Sequence, residues 1–144
     1  MSILFSRQCE YAIRGVLYLA LKKPGELTSI KDLSDRLEVP YYFLGKILQS
    51  LVAKGMLDSQ RGPKGGFTLA VSPDKITLYK IIEAIDGPDF AEKCVLGFPE
   101  CSGTNPCSVH DRWGKIRENI VSMTNQKNVA QMARDMKKPE YRLP

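Results

Sequence analysis

The chain has 144 residues, 43% of them hydrophobic and 26% charged, and a formal net charge of +5. That length suits one compact domain with an appended element, and the apolar fraction is enough for a real core, which excludes a disordered or fibrous chain. The most apolar run, "AIRGVLYLALKK", is interrupted by Arg14 and too short to span a bilayer, and the N-terminus has no secretory pattern, so a soluble cytoplasmic protein without membrane contact is expected.

Ser6 is placed to cap a first helix, in which Cys9, Ala12, Ile13, Val16, Leu17 and Ala20 recur at helical spacing until "KKPGE" stops it. Thr28 or Ser29 caps a short second helix with Ile30, Leu33 and Leu37 facing inward. After the turn "EVP", a third helix from about residue 41 to 54 buries Leu44, Ile47, Leu48 and Leu51, and Gly55 stands where a left-handed C-terminal cap belongs. The period then shifts to that of two short strands, "MLDSQ" and "FTLAV", joined by the loop "RGPKGG". Thr77 caps a fourth helix with Leu78, Ile81, Ile82 and Ile85 inward and Gly87 at its end.

From about residue 88 to 106 no period holds, and so long a loop inside a compact domain is functional or disordered. Beyond it, Val109, Trp113, Ile116, Ile120 and Met123 mark a long amphipathic helix with little chain left to pack against. Val129, Met132 and Met136 mark a last short helix, followed by a tail, "KKPEYRLP", expected to fray. The expected organisation is a DNA-binding head over residues 1–87, a ligand-binding loop over 88–107, and a dimerisation helix with its tail over 108–144.

Charge follows the same division. Residues 1–80 hold 12 Lys and Arg against 7 Asp and Glu, whereas residues 81–144 hold 9 of each. Two helices, a tight turn, a third helix and a ribbon with a basic tip describe a winged helix-turn-helix in a mainly α chain. The third helix fits a major groove about 12 Å wide, with the second bracing it. Its outward face carries Tyr41, Tyr42, Gly45, Lys46 and Gln49; Gln49 can pair with adenine and Lys46 can reach guanine or phosphate. Arg61 and Lys64 at the wing tip suit the minor groove, and Gly65 and its glycine neighbours let the backbone approach closely. Thr28 is counted with this DNA-facing set. Taken singly, Lys46 and Gln49 would pass for a solvated face and "RGPKGG" for a flexible turn; their common side favours double-stranded DNA.

The segment "CVLGFPECSGTNPCSVH" gathers three of the four cysteines and the only histidine in the pattern C-x6-C-x5-C-x2-H. Thiolates are soft ligands suited to iron–sulfur clusters and to zinc. Cys107 and His110 lie one helical turn apart, while Cys94 and Cys101 can wrap in from the loop. The gaps are long for a zinc knuckle, yet zinc and a thiol switch both stay open. Cys9 reads as a small core residue, and Trp113, one turn beyond His110, as filler of a dimer core. No phosphate loop or Ser/His/Asp arrangement is present, so catalysis is not expected, and a cluster carrier would have no use for the wing.

"EYAIRGVLYLA", "YYFLGKILQSLVAKGML" and "SQRGPKGGFTLA" resemble the Rrf-type winged-helix transcription regulators, strongly over residues 1–87 and onward into "CSVHDRW". Within that family, the cysteines resemble the branch of the iron–sulfur cluster regulator and the nitric-oxide-sensitive repressor, whose C-x5-C-x5-C-x2-H is one residue shorter. The resemblance implies a homodimer crossing at the long helix and a palindromic operator read by Tyr41, Tyr42, Lys46, Gln49, Arg61 and Lys64. It implies a cluster, [2Fe–2S] favoured over [4Fe–4S], on Cys94, Cys101, Cys107 and His110, with Glu10 of the partner subunit as the alternative fourth ligand. Cluster state, through redox, nitric oxide or iron supply, would then modulate operator binding; the alternative is a thiol-switch or zinc-stabilised repressor. Gly45 departs from the Glu many members carry, so their target sequence does not transfer.

Overall fold

The structure, a computed structural model, describes residues 4–144. Helix α1 (Arg7–Ala20) starts at Ser6, whose hydroxyl accepts the Cys9 N–H at 3.1 Å, and it buries Cys9, Ala12, Val16 and Leu17. Helix α2 (Ile30–Leu37) is capped by Ser29 rather than Thr28, through the Asp32 N–H at 3.1 Å. It ends at Glu38, the one non-glycine residue with positive φ (56°) among those described. The turn is then locked by Ser34, which accepts the Val39 N–H at its carbonyl (3.1 Å) and donates its hydroxyl to the Val39 carbonyl (2.6 Å). Helix α3 (Tyr41–Ala53) follows, burying Leu44, Ile47, Leu48 and Leu51 as the spacing requires, and Gly55 (φ 78°) closes it.

Strands β1 (Leu57–Gln60) and β2 (Gly66–Leu69) pair antiparallel, with Leu57 opposite Leu69 and Gln60 opposite Gly66. Their alternation is weaker than the sequence implies: in β1 only Leu57 is buried, and Asp58, Ser59 and Gln60 are all exposed. Strand β1 turns outward after Leu57, while β2 stays covered at Gly66 and Phe67, where Thr28 pairs with it. Phe67 is the buried anchor of the second strand.

A 3-10 turn over Pro73–Lys75, not foreseen from the sequence, leads into α4 (Leu78–Asp86), which seals Ile81 and Ile82 from solvent. No regular element then appears until α5 (His110–Gln126). Helix α6 (Val129–Met136) opens with a reciprocal capping box between Asn128 and Gln131. It folds back: the Val129 N–H donates to the Ile76 carbonyl at 2.7 Å, and Val129 joins the core formed by α1 to α4, with Met132 and Met136 against it. Helix α6 thus shares a core with α1 to α4. Between them α5 runs with Val109, Ile116 and Met123 at 40%, 46% and 49% exposure, an apolar stripe the protomer leaves uncovered. Among the described residues no helix is long and apolar enough to cross a membrane.

Candidate nucleic-acid interface and thiol site

The buried stripe of α3 fixes what its other side presents. Tyr41, Tyr42, Lys46 and Gln49 are all exposed there, Tyr42 to 85%, and α3 carries no acidic residue. The two tyrosine rings meet edge to face at 5.4 Å, which holds them as a pair at the start of the helix. Arg61 and Lys64 are exposed on the wing loop. Gly65 is sterically required in that loop, because a Cβ there would lie 2.1 Å from the Gln60 carbonyl oxygen. Gly45 is partly covered: its missing Cβ would sit 3.0 Å from the Ile30 Cδ1, so glycine lets α2 and α3 approach closely there.

Thr28 departs from the DNA-facing set. It is 5% exposed, and its backbone bonds to Phe67 in both directions, N–H to carbonyl at 3.0 Å and carbonyl to N–H at 2.8 Å. The Thr28 hydroxyl has no hydrogen-bond partner among the described residues. Its place is structural, as a one-residue third strand beside the ribbon. Sequence reasoning missed this because the pairing joins segments far apart in the chain.

The 88–107 segment brings one of its thiols against the imidazole: Cys101 Sγ lies 3.5 Å from His110 Nδ1 at the start of α5. The Cys94 thiol is held below the ordinary range, first by the Phe98 N–H and further by the N–H groups of Leu96 and Gly97 and by the Cys107 thiol. A turn from Cys94 to Gly97 (Gly97 N–H to Cys94 carbonyl, 3.0 Å) wraps those amides around the sulfur. All three loop thiols are free and partly exposed. Among the described residues no three donors converge on one point. Three soft donors with an imidazole against one of them fit an iron–sulfur centre chemically, with the Cys94 and Cys107 thiols still to be drawn in.

One face of α5 holds this segment. The Trp113 indole N–H donates to the Lys93 carbonyl at 3.0 Å, and Arg117 donates to Cys101 Sγ at 3.2 Å and to the Glu92 carbonyl at 3.5 Å. Trp113 also borders a small cleft with Phe5, Phe90 and Ile120. Arg117 went unnoticed in the sequence, although its position seven residues after His110 places it on the same helical face.

Cys9 and Glu10 sit together on α1. Cys9 is fully buried, as its spacing implied, and its thiol is pushed up to about 12, first by burial and then by the carboxylates of Asp86 and Glu10. Asp86, at the end of α4, also accepts the Ser6 N–H at 3.1 Å and the Ser6 hydroxyl, tying the root of the 88–107 segment to the start of α1. Glu10 is partly exposed on the same turn.

The family profile described as "Rrf2: Iron-dependent Transcriptional regulator" matches residues 5–135. An HTH-type transcriptional regulator of Aquifex aeolicus is 36% identical over 120 residues, spanning 82% of this chain and 83% of its own. The HTH-type transcriptional regulator IscR of Yersinia pseudotuberculosis is 30% identical over 122 residues, 85% of this chain and 74% of its own. Among solved structures, CymR, the global cysteine regulator of B. subtilis, superposes with a TM-score of 0.78 at 23% identity, covering 93% of this chain and 98% of its own. IscR of T. potens gives 0.76 at 20% identity, covering 98% and 92%. A helix-turn-helix with a wing, six helices and a two-stranded sheet agree with these folds, and the chain belongs to the Rrf2 family of DNA-binding transcriptional regulators.

Proposed function

We propose that this chain is a homodimeric regulator whose hold on a palindromic operator is set by an iron–sulfur centre on Cys94, Cys101, Cys107 and His110. The observation that carries the reading is the approach of Cys101 to His110 at the start of α5, with the partly exposed, free thiols of Cys94 and Cys107 on the same segment. When bound, such a centre supplies a cross-link among thiolates that oxidation, nitric oxide or iron shortage can break. A single imidazole among three thiolates favours [2Fe–2S], because histidine replaces thiolate in known two-iron centres. Glu10 of the partner subunit is the alternative fourth donor.

The chain's own residues would convert site closure into DNA affinity. Trp113 and Arg117 fasten the segment to α5, and Asp86 fastens its root to α1. Drawing Cys94 and Cys107 toward Cys101 and His110 therefore pulls on the long helix and on the head together. The uncovered stripe Val109, Ile116 and Met123 on α5 would seat the partner's α5, so a change in that helix alters the spacing of two heads. Half-sites about one helical turn apart tolerate little such change. A ligand acts in this way only by binding one arrangement better than the other.

The lowered Cys94 thiol, with Cys107 among its causes, favours a second reading, a thiol switch without metal. Anoxic purification followed by iron, sulfide and zinc determination, with operator titration of native protein and a Cys94→Ala/Cys101→Ala/Cys107→Ala variant, separates the two. Iron and sulfide in near-equal amounts, lost together with regulated binding in the variant, support the centre. A metal-free native protein whose DNA affinity responds to oxidant supports the thiol switch, and stoichiometric zinc supports a structural metal.

A further inference from the structure

His110, Trp113 and Arg117 follow one another at three- and four-residue steps on α5, so they project to one side of the helix. Each reaches the sensor segment, but Arg117 alone reaches it twice: one Nη1 donates to the Cys101 sulfur at 3.2 Å and to the Glu92 carbonyl at 3.5 Å. Every ion pair among the described residues uses a lysine, so no carboxylate is within ion-pair distance of the Arg117 guanidinium, although Asp89, Glu92 and Glu100 border the same cleft. The group it donates to at the thiol site is the Cys101 sulfur, which would bear negative charge as a ligand.

We propose that Arg117 is a positioning residue of the thiol site, holding Cys101 by its sulfur and placing a fixed positive charge beside any thiolate-bound iron–sulfur centre there. The inference rests on the cluster reading above. A donor to a ligating sulfur draws charge from it and favours the reduced, more negative state, so it raises the reduction potential. The planar fork of arginine serves a sulfur and a carbonyl together, which a lysine ammonium on a flexible stem does not. The Cys101–His110 corner is thereby the anchored one, and the Cys94–Cys107 side is the one that opens.

The test uses the full chain purified without oxygen, as native protein, Arg117→Gln and Arg117→Lys. Iron and sulfide content, the rate at which a chelator bleaches the visible absorption, and the midpoint potential are measured for each. Arg117→Gln should still take up iron and sulfide, bleach on the order of tenfold faster and show a lower potential than native protein. Arg117→Lys should keep a potential near the native value, since the charge remains, while bleaching faster, a split that a purely structural role does not produce. A cluster-bearing native chain whose Gln variant matches it in both rate and potential overturns the role of Arg117 alone. A native chain holding neither iron nor sulfide overturns the cluster reading and this one with it. If circular dichroism shows Arg117→Gln unfolded, the Lys variant decides, and bleaching at the native rate overturns the proposal.

Discussion

Thr28 and Phe67 exchange both of their backbone hydrogen bonds, at 3.0 and 2.8 Å, which stitches the entry of the helix-turn-helix to the second strand of the wing. Beside them, a Cβ on Gly66 would stand 2.4 Å from the Thr28 carbonyl oxygen. The neighbour is backbone, so it cannot swing aside. Gly66→Ala should cost about 1–3 kcal/mol in urea denaturation, as overpacking does, and weaken DNA binding by displacing the wing. Gly103→Ala, where nothing lies within 4 Å, serves as the control and should leave stability nearly unchanged.

The Thr28 hydroxyl is buried without a partner. Replacing it by an isosteric apolar side chain removes a desolvated polar group, so Thr28→Val should be neutral or more stable by about 1 kcal/mol. DNA affinity should not change. An affinity loss without any loss of stability would return this residue to the DNA-facing set.

The outward side chains of α3 and the wing should separate by the kind of contact they make. Gln49→Ala should cost about 1–3 kcal/mol on the cognate operator and little on unrelated duplex, because it removes a base contact. Arg61→Ala or Lys64→Ala should weaken both duplexes if it removes a phosphate contact, and lower the slope of log affinity against log salt by about 1. Fluorescence anisotropy across a salt series reads both quantities. Equal slopes for native protein and both wing variants would remove the wing from the DNA interface.

Val109, at the cap of α5, and Ile116 and Met123 within it recur every seven residues and stay exposed, the spacing of a helix–helix seam. Ile116→Glu should shift the sedimenting species from dimer to monomer; a dimer that survives it would place the interface elsewhere. Gly114 lies off that seam, with nothing within 4 Å of its missing Cβ. Gly114→Ala should therefore raise the melting temperature, by up to about 1 kcal/mol of helix stability, without changing assembly.

Cys9 links burial to pH. Its folded-state thiol is pushed from 9.0 up to about 12, so its contribution to stability is complete below pH 9 and lost as pH rises toward 12. The melting temperature should fall across that window, and Cys9→Ala should fall less steeply. The same residue should resist alkylation in the native state, whereas Cys94, partly exposed and with its thiol pushed the other way, should react first. Mass spectrometry after a short pulse of iodoacetamide reports the order.

The local pattern of residues determined most of the head. Apolar spacing set α1, α3 and α4 and their buried faces, and Ser6, Gly55 and Thr77 marked an end of each, because a helix's stripe and caps are written within a few residues of each other. The four metal-ligand candidates were legible for the same reason: soft donors stand out by residue type alone. Only the tertiary structure decided which thiol meets which partner, that Arg117 and Trp113 fasten the sensor segment, that Thr28 is sealed beneath the wing, and that α6 returns to the core through Val129 and Ile76. Each of those relations joins segments that no short period connects. They form because the chain closes over one apolar core and its remaining polar groups must find partners where that closure leaves them.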